Sequence, residues 1–388
     1  MQDYNMSEDI SSLIEKLEQI NTVPVTEAKG HLDHPEDLIF TAGSSGAQAA
    51  LRSILATVQN PKTVTIKWDG YPALIFGRDS AGRFSIMDKH MFNKAGGVGR
   101  TIYTPQQFAK YDVDRGVVRS DLTKIIGSIW AGLERATPKQ PGYYWGDLLF
   151  SSPLQAQDGM YTFRANPNGI TYTVEQDSEL GKLFDKKVAG IAVHQFIEAD
   201  AMSTDDAVTL NGGIGSLQNV SNVAIVPSAM PNPPKLKLNT TLSKAAEQAI
   251  QTYGPMVDDL FNSAPQARTA FAGLFTVYVN KRIVAGNLNS MGSDFLQFVQ
   301  SRPFTETMKA KLLAYLPTKK NEVKAAFIIW VQLYKLKMLV VDQLAKQAEV
   351  GPIKGYLQDG TQTQEGFVSN NLKFVDRMGF SRQNLAGR

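Results

Sequence analysis

The chain has 388 residues, 43% of them apolar, and a formal net charge of +3. That length suits one large domain or two ordinary ones. So small a charge excludes a polycation, so any surface for nucleic acid must be local. There is no cysteine, which excludes disulfides and thiolate metal sites. The histidines, His31, His34, His90 and His194, are too scattered for a sequence-readable zinc site. The polar, acidic N-terminus reads as carrying no signal peptide. The longest uncharged run, Ala207 to Pro234, is too rich in Asn, Ser, Gly and Pro to span a membrane. A cytoplasmic protein with no membrane partner is the expectation.

Residues 8–20 place Ile10, Leu13, Ile14, Leu17 and Ile20 at helical spacing. In His34-Pro-Glu-Asp-Leu38 the acids Glu36 and Asp37 read as solvated turn residues or as metal ligands. Gly43-Ser-Ser-Gly46 opens a helical stretch from Ala47. Free N–H groups at such a start can hold a phosphate, and the loop can equally be a plain helix start. Val64 and Ile66 alternate with Thr63 and Thr65, predicting a strand that ends at Lys67. Asp69-Gly70 makes the turn into a partner strand, Ala73 to Phe76, and residues 82–87 read as a third. Lys67 therefore sits at a strand end, facing the cleft of the sheet.

Lys89, Lys94 and Arg100 form a basic stretch beside that cleft, readable as a polyanion contact or as a solvated loop. The glycines between Gly96 and Gly99 lack the strand-before, helix-after context of a dinucleotide site. Residues 104–135 look largely helical. Gly142 to Phe150 is an apolar, aromatic strand carrying Asp147, and a carboxylate in such a run is costly unless it has a partner. Residues 170–174, 188–196 and 222–227 read as further strands, with His194 near the end of the second. Met230-Pro-Asn-Pro-Pro-Lys235 reads as a rigid extended linker. From Leu242 to about Val350 the pattern is helical, including 268–284 and the long packing helix 320–349. Strand-like sequence returns at 364–368 and 371–377, bearing Glu365 and Lys373.

A lysine at a strand end is protonated near neutral pH unless it is desolvated or set beside another cation. Neutral, it can attack the α-phosphorus of a nucleotide and form a phosphoramidate. A metal ion would neutralise the leaving pyrophosphate. Such chemistry needs further lysines and carboxylates, and Asp147, Glu365 and Lys373 supply them.

The ordered set Lys67-Trp-Asp-Gly70, Tyr144-Trp-Gly-Asp147-Leu-Leu-Phe150, Glu365-Gly-Phe-Val368 and Lys373-Phe-Val-Asp-Arg377 resembles the covalent nucleotidyltransferase superfamily. That superfamily includes ATP-dependent RNA and DNA ligases and mRNA capping enzymes. With His34-Pro-Glu-Asp-Leu38, the set looks more closely like ligase-like proteins of tailed phages, over roughly residues 30–225 and 360–385. The resemblance implies an α+β fold: an antiparallel-sheet, ATP-grasp-like nucleotidyltransferase domain with an inserted all-helical domain. Its parts would be an N-terminal helical segment (1–60) packed on the catalytic domain, the first part of that domain (61–238), the helical insert (239–355) and the closing strands (356–388).

The resemblance also implies roles. Lys67 would be nucleotidylated and Lys373 would grip the α-phosphate and lower the pKa of Lys67. Asp69 and Gly70 complete the first motif. Lys67, Asp69, Gly70, Lys89, Asp147, Phe196, Glu365 and Lys373 would bind ATP, and Glu365 and Asp147 would hold Mg²⁺ or Mn²⁺. Lys89, Lys94 and Arg100 would hold nucleic acid. Asp147 stands where the family usually has glutamate, and Val375 where it often has a second lysine. Phe196 and His194 are the candidates for the aromatic that stacks on the base. No oligonucleotide-binding barrel follows Lys373 before Arg388, which favours RNA ligase over DNA ligase. The expectation is an ATP-dependent ligase joining 5′-phosphate to 3′-hydroxyl ends, in the host cytoplasm if phage-encoded. The rivals are a DNA ligase, AMP or GMP transfer to a protein or a capped end, and a non-catalytic binding or structural protein with a relict site.

Overall fold

The computed structural model describes residues 32–94, 101–165, 169–211, 213–230, 234–262, 268–288, 290–303, 306–349, 351–357, 360–363 and 366–377. The predicted helix over 8–20 lies outside them. Among the described residues the strands form three sheets. The central one contains Ala73–Arg78 (β2), Phe84–Asp88 (β3), Gly142–Phe150 (β4), Ala189–Ile197 (β8) and Val223–Pro227 (β10), in the order β10-β8-β4-β2-β3, with Val208–Thr209 (β9) on β8. Its pairs are antiparallel except β10 on β8.

A second sheet joins distant parts of the chain: Thr65–Ile66 (β1), Phe367–Ser369 (β13) and Leu372–Phe374 (β14), in the order β1-β13-β14. The third runs β12-β11-β7-β6-β5, from Gln362–Thr363 (β12), Ile353–Tyr356 (β11), Thr171–Glu175 (β7), Met160–Phe163 (β6) and Ala156–Gln157 (β5). β11 has no strand signal in the sequence, because a glycine and a lysine interrupt a four-residue run. It becomes a strand because β7 offers it a ladder.

Pro105–Asp114 (α3) and Ser120–Ala136 (α4) cover one face of the central sheet, where Trp130 meets Phe84 edge-on. They bear out the largely helical reading of 104–135 as two helices. Gly116, at φ +73°, breaks the run. The Thr104 hydroxyl accepts from Gln107 N–H and Pro105 fills the first turn, so α3 starts where local chemistry dictates. Two short helices, Lys89–Asn93 (α2) and Glu179–Phe184 (α5), pack beside β3 and β7.

The helical layer consists of Leu38–Gln59 (α1), Thr240–Asn262 (α6), Arg268–Val284 (α7), Phe295–Gln300 (α8), Glu306–Tyr315 (α9) and Lys320–Glu349 (α10). These helices share one core around Phe40, Phe275, Phe327 and Trp330, and Phe367 and Phe374 of the second sheet enter it. α10 is about 45 Å long, packs along α6 and α1, and hands the chain to β11. No described helix is long and apolar enough to cross a membrane. The chain is therefore an α+β protein whose helical layer is packed directly onto the sheet formed by residues 65–66 and 367–374.

Candidate functional site

Lys67 follows β1. Its backbone N–H donates to Gly366 C=O at 3.0 Å, and Thr65 pairs with Val368, which in turn pairs with Lys373. A three-strand ladder thus aligns the first motif with the last. The consequence is electrostatic. Burial and the Lys373 ammonium push the pKa of Lys67 down to about 8, against the opposing pull of Asp69 and Asp147. At pH 7 a lysine of pKa 8 is about 10% neutral, some 300 times the fraction at an unperturbed value. Burial also holds Lys373 below the ordinary lysine value, with Asp33 pulling the other way.

The turn after Lys67 is fixed from several sides. Trp68 is buried against Tyr172, with ring centroids 5.0 Å apart. Asp69 N–H donates to the Tyr172 hydroxyl at 2.8 Å, and the Asp69 carboxylate accepts from Ile170 N–H at 3.3 Å. Gly70 lies against β4, where a Cβ would come within 2.4 Å of Asp147 Cβ, so only glycine fits. Tyr71 N–H and Pro72 C=O then bond to Leu148. Gly70 is thus a steric requirement of bringing the lysine turn onto the strand that carries Asp147, and Asp69 ties that turn to Tyr172 and Ile170 by hydrogen bonds. Tyr172 has no motif around it; its place in an alternating strand was the one available hint.

Asp147 has the partner its apolar strand demands: its Oδ2 lies 3.3 Å from His194 Nε2. Trp145 pairs with Gln195 and Gly146 with Val193, which leaves His194 as the extra residue of a β-bulge. His194 also lies against the Trp145 ring, and Lys89 Nζ sits 5.1 Å from that ring's centroid. Trp145 and Asp147 share a face of β4 by strand alternation. Lys89, His194 and Asp147 therefore gather on the same side.

Phe196 does not join them. It pairs with Tyr144, on the opposite face of β4 from Asp147, and its ring packs on Tyr144 at 5.3 Å and against Gly142. The single-residue bulge separates the two candidates for a base-stacking aromatic and leaves only His194 on the Asp147 face. Lys94 is exposed, with its ammonium 5.7 Å from the Tyr111 ring. Arg100, the glycines from 96 to 99, and Glu365 lie outside the described residues.

Two motifs acquire meanings that differ from their sequence readings. Glu36 and Asp37 are buried, not solvated. Glu36 is bound by Lys337 at 2.6 Å and Arg377 at 3.2 Å, and Asp37 by Arg377 at 2.7 Å and Trp330 Nε1–H at 2.8 Å. Arg377 further donates to Asn280 at 2.6 Å. Two acids and two bases, from residues 36–37, α10 and the segment after β14, close a buried network four residues from Lys373. Burial and the surrounding cations keep His34 neutral. No signal short of the fold could have paired residue 36 with residue 337.

The Gly43–Gly46 loop does bind an anion, but the anion is the chain's own. Helix α1 breaks at Gly43, where φ is +64°, and Ser44 N–H and Oγ–H donate to the two oxygens of Asp258 at 2.8 and 2.6 Å. The reading of this loop as a phosphate site is thereby corrected: a carboxylate of α6 takes up these donors.

A family model matches residues 29–388. The chain belongs to DUF6267, a family of unknown function. No curated protein and no solved structure matches the chain. The stretch matched by DUF6267 takes in every candidate site residue from Lys67 to Lys373 and leaves out the segment 8–20.

Proposed function

We propose that this protein is a covalent nucleotidyltransferase that seals polynucleotide ends, with RNA favoured, through an AMP adduct on Lys67. The observation that carries the reading is the convergence of Lys67 and Lys373 from distant parts of the chain: burial first, and the Lys373 ammonium second, lower the pKa of Lys67 to about 8. A structural lysine gains nothing from a second half-buried ammonium beside it. A nucleophilic lysine gains a neutral amine.

Neutral Lys67 Nζ would attack the α-phosphorus of ATP. The P–N bond forms, the bond to pyrophosphate breaks, and Nζ gives up a proton. A 5′-phosphate oxygen then displaces Lys67 from phosphorus, and a 3′-hydroxyl attacks the activated 5′-phosphorus and releases AMP. Lys373 would meet the α-phosphate, and the carboxylates of Asp69 and Asp147 border the lysine. Catalysis of this type depends on placement and charge more than on acid–base groups.

A magnesium or manganese ion would supply charge neutralisation for the departing pyrophosphate. Asp147 would hold it, together with Glu365 on the strength of the motif resemblance. No group of three or more metal-ligating side chains exists among the described residues. Such a cation needs only one or two carboxylates when substrate phosphates complete its shell.

The test is incubation with α-labelled ATP or GTP and Mg²⁺ or Mn²⁺, followed by a denaturing gel. Wild type is expected to carry label and Lys67→Ala none. If the wild type takes no label from either nucleotide with either metal, the proposal fails. Label that transfers to a protein and never to a 5′-phosphate end would move the acceptor away from polynucleotides.

A further inference from the structure

The described residues between β10 and α6, 228–230 and 234–239, are built in an unusual way. The first stretch belongs to the site: Ile66 N–H donates to Ser228 C=O at 2.7 Å, and Ala229 bridges to Thr65, two residues before Lys67. The second, residues 234–239, lies along α10. There Gln347 accepts from Lys235 N–H at 2.6 Å and donates to Lys235 C=O at 2.9 Å. Gln343 does the same for Lys237, at 2.7 and 3.0 Å. Two glutamine side chains one helical turn apart thus replace a neighbouring strand.

This clamp fixes which way each residue points. Pro234, Leu236 and Leu238 face the protein, the two leucines against the helical core, whereas Lys235, Lys237 and Asn239 are exposed. The two lysines sit about 6.8 Å apart along an extended chain. Neither is ion-paired with a described carboxylate. Lys235 lies six positions after Ala229, a span of at most about 22 Å.

We infer that residues 234–239 form a rail for the phosphate backbone of a single-stranded polynucleotide, with Lys235 and Lys237 as its contacts, leading the strand toward Lys67. The inference rests on the polynucleotide reading for the identity of its ligand. The physical case is preorganisation. A flexible lysine pair would lose backbone freedom on meeting phosphates, whereas here the backbone is already held by four hydrogen bonds, so less entropy is lost on binding. Backbone contacts of this kind carry no sequence preference and make affinity salt-dependent.

The experiment uses the full chain and a fluorescein-labelled, 5′-phosphorylated single strand of about 16 nucleotides, the upper end of single-strand site sizes. It is made as RNA and as DNA, and anisotropy is read across a salt series. Lys235→Gln/Lys237→Gln is expected to bind more weakly and to lower the slope of log K against log salt by about 1.4, or 0.7 per released contact. Gln343→Ala/Gln347→Ala keeps the charge and unlocks the rail, and is expected to weaken binding with the slope retained. Both variants are expected to form the Lys67 adduct as the wild type does.

Wild type that fails to bind either strand overturns the rail. So do variants that bind like wild type, and so does equal displacement by polyglutamate, which would mark a general anion surface. If the strands bind as described and no adduct forms, the nucleotidyl-transfer reading falls and the rail stands.

Discussion

Substituting Lys337 by methionine tests how the helical layer is joined to the segment that carries Lys373. The ammonium is fully buried, 2.6 Å from Glu36, and methionine removes the charge while keeping most of the volume. Glu36 would then depend on Arg377 alone at 3.2 Å, with its second oxygen already lacking a described partner. Breaking a buried pair from one side costs about 3–5 kcal/mol, because a desolvated charge is left behind. The double variant Glu36→Gln/Lys337→Met removes both charges and leaves Arg377 on Asp37. It is expected to lie within about 2 kcal/mol of wild type.

Urea denaturation followed by tryptophan fluorescence measures both, since Trp330 donates to Asp37 and reports the network directly. Acid adds an independent check. Burial would raise the pKa of Glu36, but Lys337 and Arg377 hold it below the ordinary carboxylate value. Its stabilising contribution is therefore present above pH 4.5 and lost as pH falls through the folded-state value. Wild type should lose stability over that range more steeply than the double variant. A Lys337→Met protein within about 1 kcal/mol of wild type at pH 7 would refute the reasoning, and so would additive effects of the two substitutions.

Three further outcomes are expected. The rate of adduct formation should climb with pH and level off above about 8, the value for Lys67, and Lys373→Met should move that midpoint upward by removing a like charge; a stationary midpoint would disconnect the two lysines. Lys67→Met should stabilise the fold by about 1–3 kcal/mol at pH 7, because the buried ammonium costs free energy below its folded pKa. That advantage should disappear as pH rises from about 8 to 10.5 and the wild-type amine becomes neutral, which thermal melts at pH 7 and 10 would read. Asp258→Ala should cost about 1–3 kcal/mol by stranding the Ser44 donors, and it should leave nucleotide labelling unchanged; lost labelling with an intact fold would return the Gly43–Gly46 loop to the site.

Local rules made much of the chain readable. An aromatic run makes β4, and Thr104-Pro105 starts a helix, because each depends on a few neighbouring side chains. The alternation at 63–66 yields only the two-residue β1 before Lys67, since residues 61–63 form a 3-10 turn, and its partner is β13 and not the strand expected at 73–76, which pairs with β3 and β4. The same rules showed that Asp147 needed a partner, since a carboxylate in an apolar strand is costly whatever surrounds it. They could not say that the partner is His194, because a one-residue bulge decides which side of β8 the imidazole takes and leaves Phe196 on the other. They could not bury Glu36 and Asp37 either: two acids beside a proline look solvated until Lys337 and Arg377, some 300 and 340 positions away, arrive to neutralise them. The identity of the residues around Lys67 was written locally. The burial of Lys67 and the nearness of Lys373, and with them the lowered pKa, were decided by the tertiary structure, because the ladder that joins residues 65, 368 and 373 closes across some 300 positions, and both desolvation and electrostatic coupling depend on what lies nearby in space.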